Sequence, residues 1–208
     1  MGLSATTASA QSAAAKGGNA PTRTPVILVL GDSLSAEYGL ARGTGWVALL
    51  EKQLEQDKLK ATVVNASVSG ETTSGGRSRL AALLAQHKPT HVVIELGGND
   101  ALRGLPLKNT EENLTWMTQA AQKAGAKVLL VGMQVPPNYG TDYANKFAGL
   151  FTSVAQAQKV AVVPFFLKGV ADGPDPTKLF QPDRIHPRAE AHPQMLANVW
   201  PELKKLLR

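Results

Sequence analysis

Cysteine is absent from the 208 residues. That excludes a disulfide framework, a thiolate nucleophile and a zinc finger, and it is compatible with any compartment. Aromatic residues make up only 5% of the chain. No dense basic run is interleaved with them, as a nucleic-acid groove requires, so nucleic acid is not an expected partner. No apolar run approaches the ~18 residues of a membrane-crossing helix, so no integral membrane segment is expected. The formal net charge is +6, but it is dispersed over Lys52, Lys58, Lys60, Lys123, Lys127, Lys204, Lys205 and Arg208. A solvated basic surface is the plain reading. A weak pull on anionic substrates or membrane surfaces is the sharper one.

What is present fits a globular chain, with 43% hydrophobic and 18% charged residues. The length suits one good core and is short for two. Residues 1–22 are mostly Ala, Ser, Thr, Gly and Gln with almost no large apolar side chain, too little to order themselves. Ala8-Ser9-Ala10 has the small-x-small form of a signal-peptidase site, although no charged or apolar region precedes it. Two readings stand, a disordered leader or a trimmed export signal. The second implies a periplasmic or secreted protein, with a cytoplasmic one still open. The domain proper runs over 23–208.

From Pro25 the pattern alternates between short apolar runs and helical stripes. Val26–Leu30, Ala61–Val64, Val92–Leu96, Lys127–Val135 and Val160–Pro164 read as strands. Trp46–Lys58 carries Val47, Leu49, Leu50 and Leu54 on one stripe and reads as a helix. Arg77–His87 and Tyr143–Gln158 also read as helices. Asn109, with Glu112 three residues on, has the spacing of a capping box for a further helix ended by Gly125. A long irregular stretch, Phe165–Pro187, leads to a last helix ending near Leu207. Strands alternating with helices predict an α/β fold around a parallel sheet.

In such a sheet, ligands bind beyond the carboxyl ends of the strands. Three polar clusters fall there: Gly31-Asp32-Ser33 after strand one, Asn65 to Thr72 after strand two, and Gly97-Gly98-Asn99-Asp100 after strand three. One such turn is ordinary turn chemistry, whereas three at one edge look like a site. Near the C-terminus stands Asp183-Arg184-Ile185-His186-Pro187. A serine just past a buried strand, with an Asp and a His three residues apart, supplies the parts of a nucleophilic hydrolase. His87 and His91 have no accompanying cluster of ligands, so no metal site is expected. Gly70-x4-Gly75 is followed by Gly76-Arg77 rather than Lys-Ser/Thr, so it does not form a phosphate loop. No cofactor is expected.

Four ordered blocks resemble the SGNH/GDSL hydrolase family, named for a Ser, Gly, Asn and His that are here Ser33, Gly70, Asn99 and His186. Segments such as GDSLSAEYG, VVNASVSGETTSGG, ELGGNDALRG, PPNYG and IHP are most similar to the bacterial thioesterase I/lysophospholipase (arylesterase) subgroup. The resemblance runs from about Val26 to the C-terminus. It departs at Arg184, where close relatives often carry Gly.

The resemblance implies a three-layer α/β/α sandwich with five parallel strands in flavodoxin-like order 2-1-3-4-5. It implies Ser33 as nucleophile, His186 as general base and Asp183 as the group that orients it. The Ser33 N–H, the Gly70 N–H and the Asn99 amide form the oxyanion hole. A helix N-terminus after Ser33 is expected to favour the developing charge. Ser35, Ser67 and Ser69 are expected to be turn or capping hydroxyls, Asp32 to fix the turn, Asp100 to act as a cap, and His192 to be partly exposed. Residues Leu102–Leu105 and the Pro136–Tyr139 turn are candidates for lining an acyl groove. The expected activity is hydrolysis of small-molecule acyl esters, acyl-thioesters or lysophospholipids through an acyl-serine. A carbohydrate deacetylase and a non-catalytic flavodoxin-like binding module are the alternatives. The sequence sets no oligomeric state, and a monomer is compatible with it.

Overall fold

The computed structural model of this protein describes residues 1–2, 24–135 and 137–208. The leader reading for residues 1–22 and the position of Pro136 in the groove therefore lie outside the described residues, apart from Met1 and Gly2. Five strands alternate with helices: β1 (Val26–Gly31), α1 (Trp46–Gln56), β2 (Thr62–Asn65), α2 (Thr73–His87), β3 (His91–Glu95), α3 (Gly98–Leu102), α4 (Leu107–Lys123), β4 (Lys127–Val131), α5 (Thr141–Gln158), β5 (Ala161–Val163) and α6 (His192–Leu206). Short 3-10 turns lie at Pro137–Tyr139 and Ala189–Ala191.

All strand pairs are parallel, in the order β2-β1-β3-β4-β5. Helices α1 and α6 pack together on one side, and α2, α4 and α5 on the other. Covered on both faces, β1 and β3 read as unbroken apolar runs: Ile27 to Leu30 and Val92 to Ile94 are fully buried. The edge strands β2 and β5 are only partly buried. Trp46, Phe147, Phe151 and Phe166 are the largest wholly buried side chains, and Trp46 meets Phe166 edge-on with ring centres 5.5 Å apart.

Several boundaries differ from the sequence reading. Helix α4 begins at Leu107, after Pro106. The Pro106 carbonyl accepts from Asn109 N, so Asn109 lies in the first turn and is not the cap. Helix α2 starts four residues before Arg77, at Thr73, because the Thr72 side chain accepts from Gly75 N and sets an N-cap there. Strand β4 stops at Val131, where its partner β5 ends at Val163. The one-turn helix α3 has no counterpart in the sequence reading.

Candidate active site

The site lies at the carboxyl edge of the sheet, over β1 and β3. Strand β1 ends at Gly31, where a Cβ would come within 2.8 Å of the Ser35 hydroxyl and the Glu95 carboxyl, so no side chain fits. Asp32 is buried and ties the turn from beneath: its Oδ1 accepts from Leu34 N at 3.0 Å. Ser33 follows, half-buried. The expected helix N-terminus is missing. Turns run from Ser33 to Gly39, and the next helix is α1. Glu37 in a left-handed conformation (φ 59°) interrupts any helical path. Its carboxylate holds that conformation by accepting from Gly43 N and Gly45 N at 2.8–3.1 Å.

The segment before α6 brings Asp183 and His186 over Ser33. An antiparallel bridge pairs Phe180 with Pro187, and Gln181 N donates to the His186 carbonyl at 2.8 Å. Gln181 Nε2 also donates to the Tyr38 and Pro187 carbonyls, joining this loop to the one after β1. His186 Nδ1 lies 2.7 Å from Asp183 Oδ2, and its Nε2 lies 2.9 Å from Ser33 Oγ. Burial pushes the Asp183 carboxyl upward. Hydrogen bonds from the Ile185 N–H, the His186 ring and the His186 N–H outweigh that and hold it down at about 2. An ionised carboxylate only accepts, so Nδ1 carries the ring proton and Nε2 is left to accept from the serine hydroxyl.

Arg184 bridges the pair with φ 59°, the left-handed region that glycine occupies without a Cβ penalty. A glycine, expected here from the family resemblance, would adopt this conformation without that penalty. Arg184→Gly is expected to stabilise the protein by about 1 kcal/mol. Thermal unfolding checks it: an unchanged or lowered Tm would show that the Arg184 side chain offsets the strain.

Gly70 has φ 78° and its carbonyl accepts from Arg103 Nη2 at 2.9 Å. The rest of that loop is clamped by Arg79, which donates to the Ala66 carbonyl at 2.9 Å and pairs with Glu71. Asn99 opens α3 and makes no Asx-turn: its Nδ2 donates to Asp32 Oδ2 at 3.0 Å. Asp100 is the cap that was expected, accepting from Thr73 N at 2.8 Å at the head of α2.

Residues 29–193 match the GDSL-like Lipase/Acylhydrolase family. The chain belongs to that family. It is 52% identical over 181 residues to esterase TesA of Pseudomonas aeruginosa, covering 87% of this chain and 89% of that protein. It is 41% identical over 167 residues to thioesterase 1/protease 1/lysophospholipase L1 of Escherichia coli (strain K12), covering 80% and 77%. The crystal structure of psychrotrophic esterase EstA from Pseudoalteromonas sp., inhibited by monoethylphosphonate, superposes with a TM-score of 0.81. It is 41% identical and covers 88% of this chain and 98% of that one. As a GDSL acylhydrolase, the protein is a carboxylic ester hydrolase with the three-layer fold of its neighbours.

The rival serines of this acylhydrolase sit elsewhere. Ser35 is buried and donates to Glu95, the Ser67 hydroxyl is buried with no partner among the described residues, and Ser69 is exposed. The exposure expected for His192 is corrected. Only 2% of it is accessible, because α6 packs on α1 and its Nδ1 accepts from Trp46 N at 3.0 Å. Burial pushes this imidazole down, as a neutral acceptor requires. Among the described residues, no group of three or more His, Cys, Asp or Glu is placed to hold a metal ion. Two residues near the triad were given no role from the sequence. Tyr38 lays its ring 4.3 Å from that of His186, and Glu95 lies beneath Asp32. The aromatic within the GDSLSAEYG block was the available signal for the first. For the second there was only a charge ending an apolar strand.

Proposed function

We propose that the protein hydrolyses acyl esters, acyl-thioesters or lysophospholipids through an acyl-serine at Ser33. The Ser33–His186–Asp183 chain, with contacts of 2.9 and 2.7 Å, carries the reading. Ser33 Oγ attacks the acyl carbonyl while His186 Nε2 takes its proton, and Asp183 holds the ring and stabilises the imidazolium. Negative charge gathers on the carbonyl oxygen, which receives the Ser33 N–H, the Gly70 N–H and one Asn99 amide N–H. The tetrahedral species collapses, His186 passes its proton to the leaving alcohol or thiol, and the acyl group stays on Ser33. Water, activated by the same imidazole, then releases the acid.

The surroundings favour an acyl chain over a sugar. Tyr38, Val68, Leu102, Tyr139 and Ile185 are exposed large hydrophobics on the segments that carry or adjoin the site. A fluorophosphonate probe is expected to label the protein once, on the peptide containing Ser33. Labelling elsewhere, or none, would overturn the mechanism. Turnover of esters of graded acyl length, beside acyl-CoA and an acetylated sugar, is expected to rise with chain length. A preference for the acetylated sugar would favour the deacetylase instead.

A further inference from the structure

Glu95 ends β3 at 2% exposure, and among the described residues no lysine or arginine is one of its hydrogen-bond partners. A buried, unpaired carboxylate is expensive, so its hydrogen bonds decide its form. Ser35 Oγ donates to Glu95 Oε2 at 2.7 Å, and Asp32 N approaches the same oxygen at 3.4 Å. The Asp32 and Glu95 carboxyl groups lie close enough to act on each other directly.

The direction of this chain can be read from one end. The Trp46 indole N–H can only donate, and it donates to Ser35 Oγ at 3.0 Å. Ser35 must then donate onward to Glu95. Ser35 donates to Oε2, and two carboxylates cannot share a hydrogen bond without a proton on one of them. Burial and the Asp32 charge push the Glu95 carboxyl well above the usual carboxylate range, so that proton resides on Glu95. Asp32 accepts at its far side from Asn99 Nδ2.

We propose that Glu95, as a neutral carboxylic acid, is a positioning residue for the oxyanion hole: it holds Asp32 as the acceptor that keeps the Asn99 amide turned with its NH2 group toward the reacting carbonyl. An asparagine amide has two faces of opposite sense. Asp32 accepts only, so one N–H is committed to it and the other is left for the oxyanion. Without the Glu95 acid, Asp32 loses the donor behind it and can turn away from Asn99.

The inference rests on the serine-hydrolase reading, and a double-mutant cycle separates the two. Asn99→Ala alone tests that reading, with an expected loss of about 10²–10³-fold in kcat. Glu95→Met, similar in length and apolar, is expected to lower kcat about 10–100-fold with KM within about threefold. Glu95→Gln keeps one donor and one acceptor in place and is expected to recover turnover to within about fivefold of wild type. In the Asn99→Ala background, Glu95→Met is expected to add less than about threefold, because its effect passes through the missing amide. Fully additive losses, or a Glu95→Gln variant as impaired as Glu95→Met, would overturn the proposal. Should Glu95→Met fail to fold, infrared spectra decide it. A protonated-carboxyl stretch near neutral pH, lost in Glu95→Gln, is expected, and its absence from the wild type overturns the acid form.

Discussion

Ser33→Ala is expected to lower kcat by about 10⁵–10⁶-fold, the scale seen when a triad nucleophile is removed. The other serines offer no rescue. Ser35 is buried and engaged by Glu95 and Trp46, and among the described residues His186 Nε2 bonds only to Ser33. The fold is expected to survive, since the lost hydroxyl is half-buried and its partner His186 keeps Asp183. Steady-state kinetics with circular dichroism check both parts. A folded variant that retains turnover would remove Ser33 from the mechanism.

Asp183→Asn is expected to lower kcat by about 10⁴-fold, as when the triad carboxylate becomes an amide that favours the wrong tautomer. The loss is smaller if the Tyr38 ring, tilted against the imidazole with ring centres 4.3 Å apart, still holds it. Wild-type turnover in that variant would break the Asp183–His186 pairing. Stability has its own sign. The Asp183 carboxyl is lowered in the fold from 3.8 to about 2, so its contribution is fully present above 3.8 and is lost as pH falls through about 2. The substitution is therefore expected to remove this site's share of the stability lost below about pH 5 and to leave the dependence above it unchanged.

Much of this acylhydrolase was legible in its residues. Unbroken apolar runs such as Val26–Leu30 mark strands covered on both faces, and the stripe from Trp46 to Leu54 marks a helix, because each pattern is a period of a single element. The chemistry-bearing blocks were legible for the same reason. Gly31-Asp32-Ser33 is one turn, and Asp183 with His186 is one loop, so their spacing is local. What the sequence could not show depended on distant partners. Asn109 has the right spacing for a cap, yet Pro106 begins that helix a turn earlier. His192 reads as a surface histidine until α6 lays it against the head of α1, where Trp46 N needs an acceptor. Glu95 reads as a polar end to a strand, and only the parallel pairing of β1 with β3 sets it beside Gly31, with Asp32 and Ser35 in reach. Thus the sequence by itself determined the α/β class, the order of the blocks and the triad candidates. The tertiary structure decided which polar groups are buried together, because desolvation and hydrogen-bond direction depend on neighbours some 60 residues away in the chain.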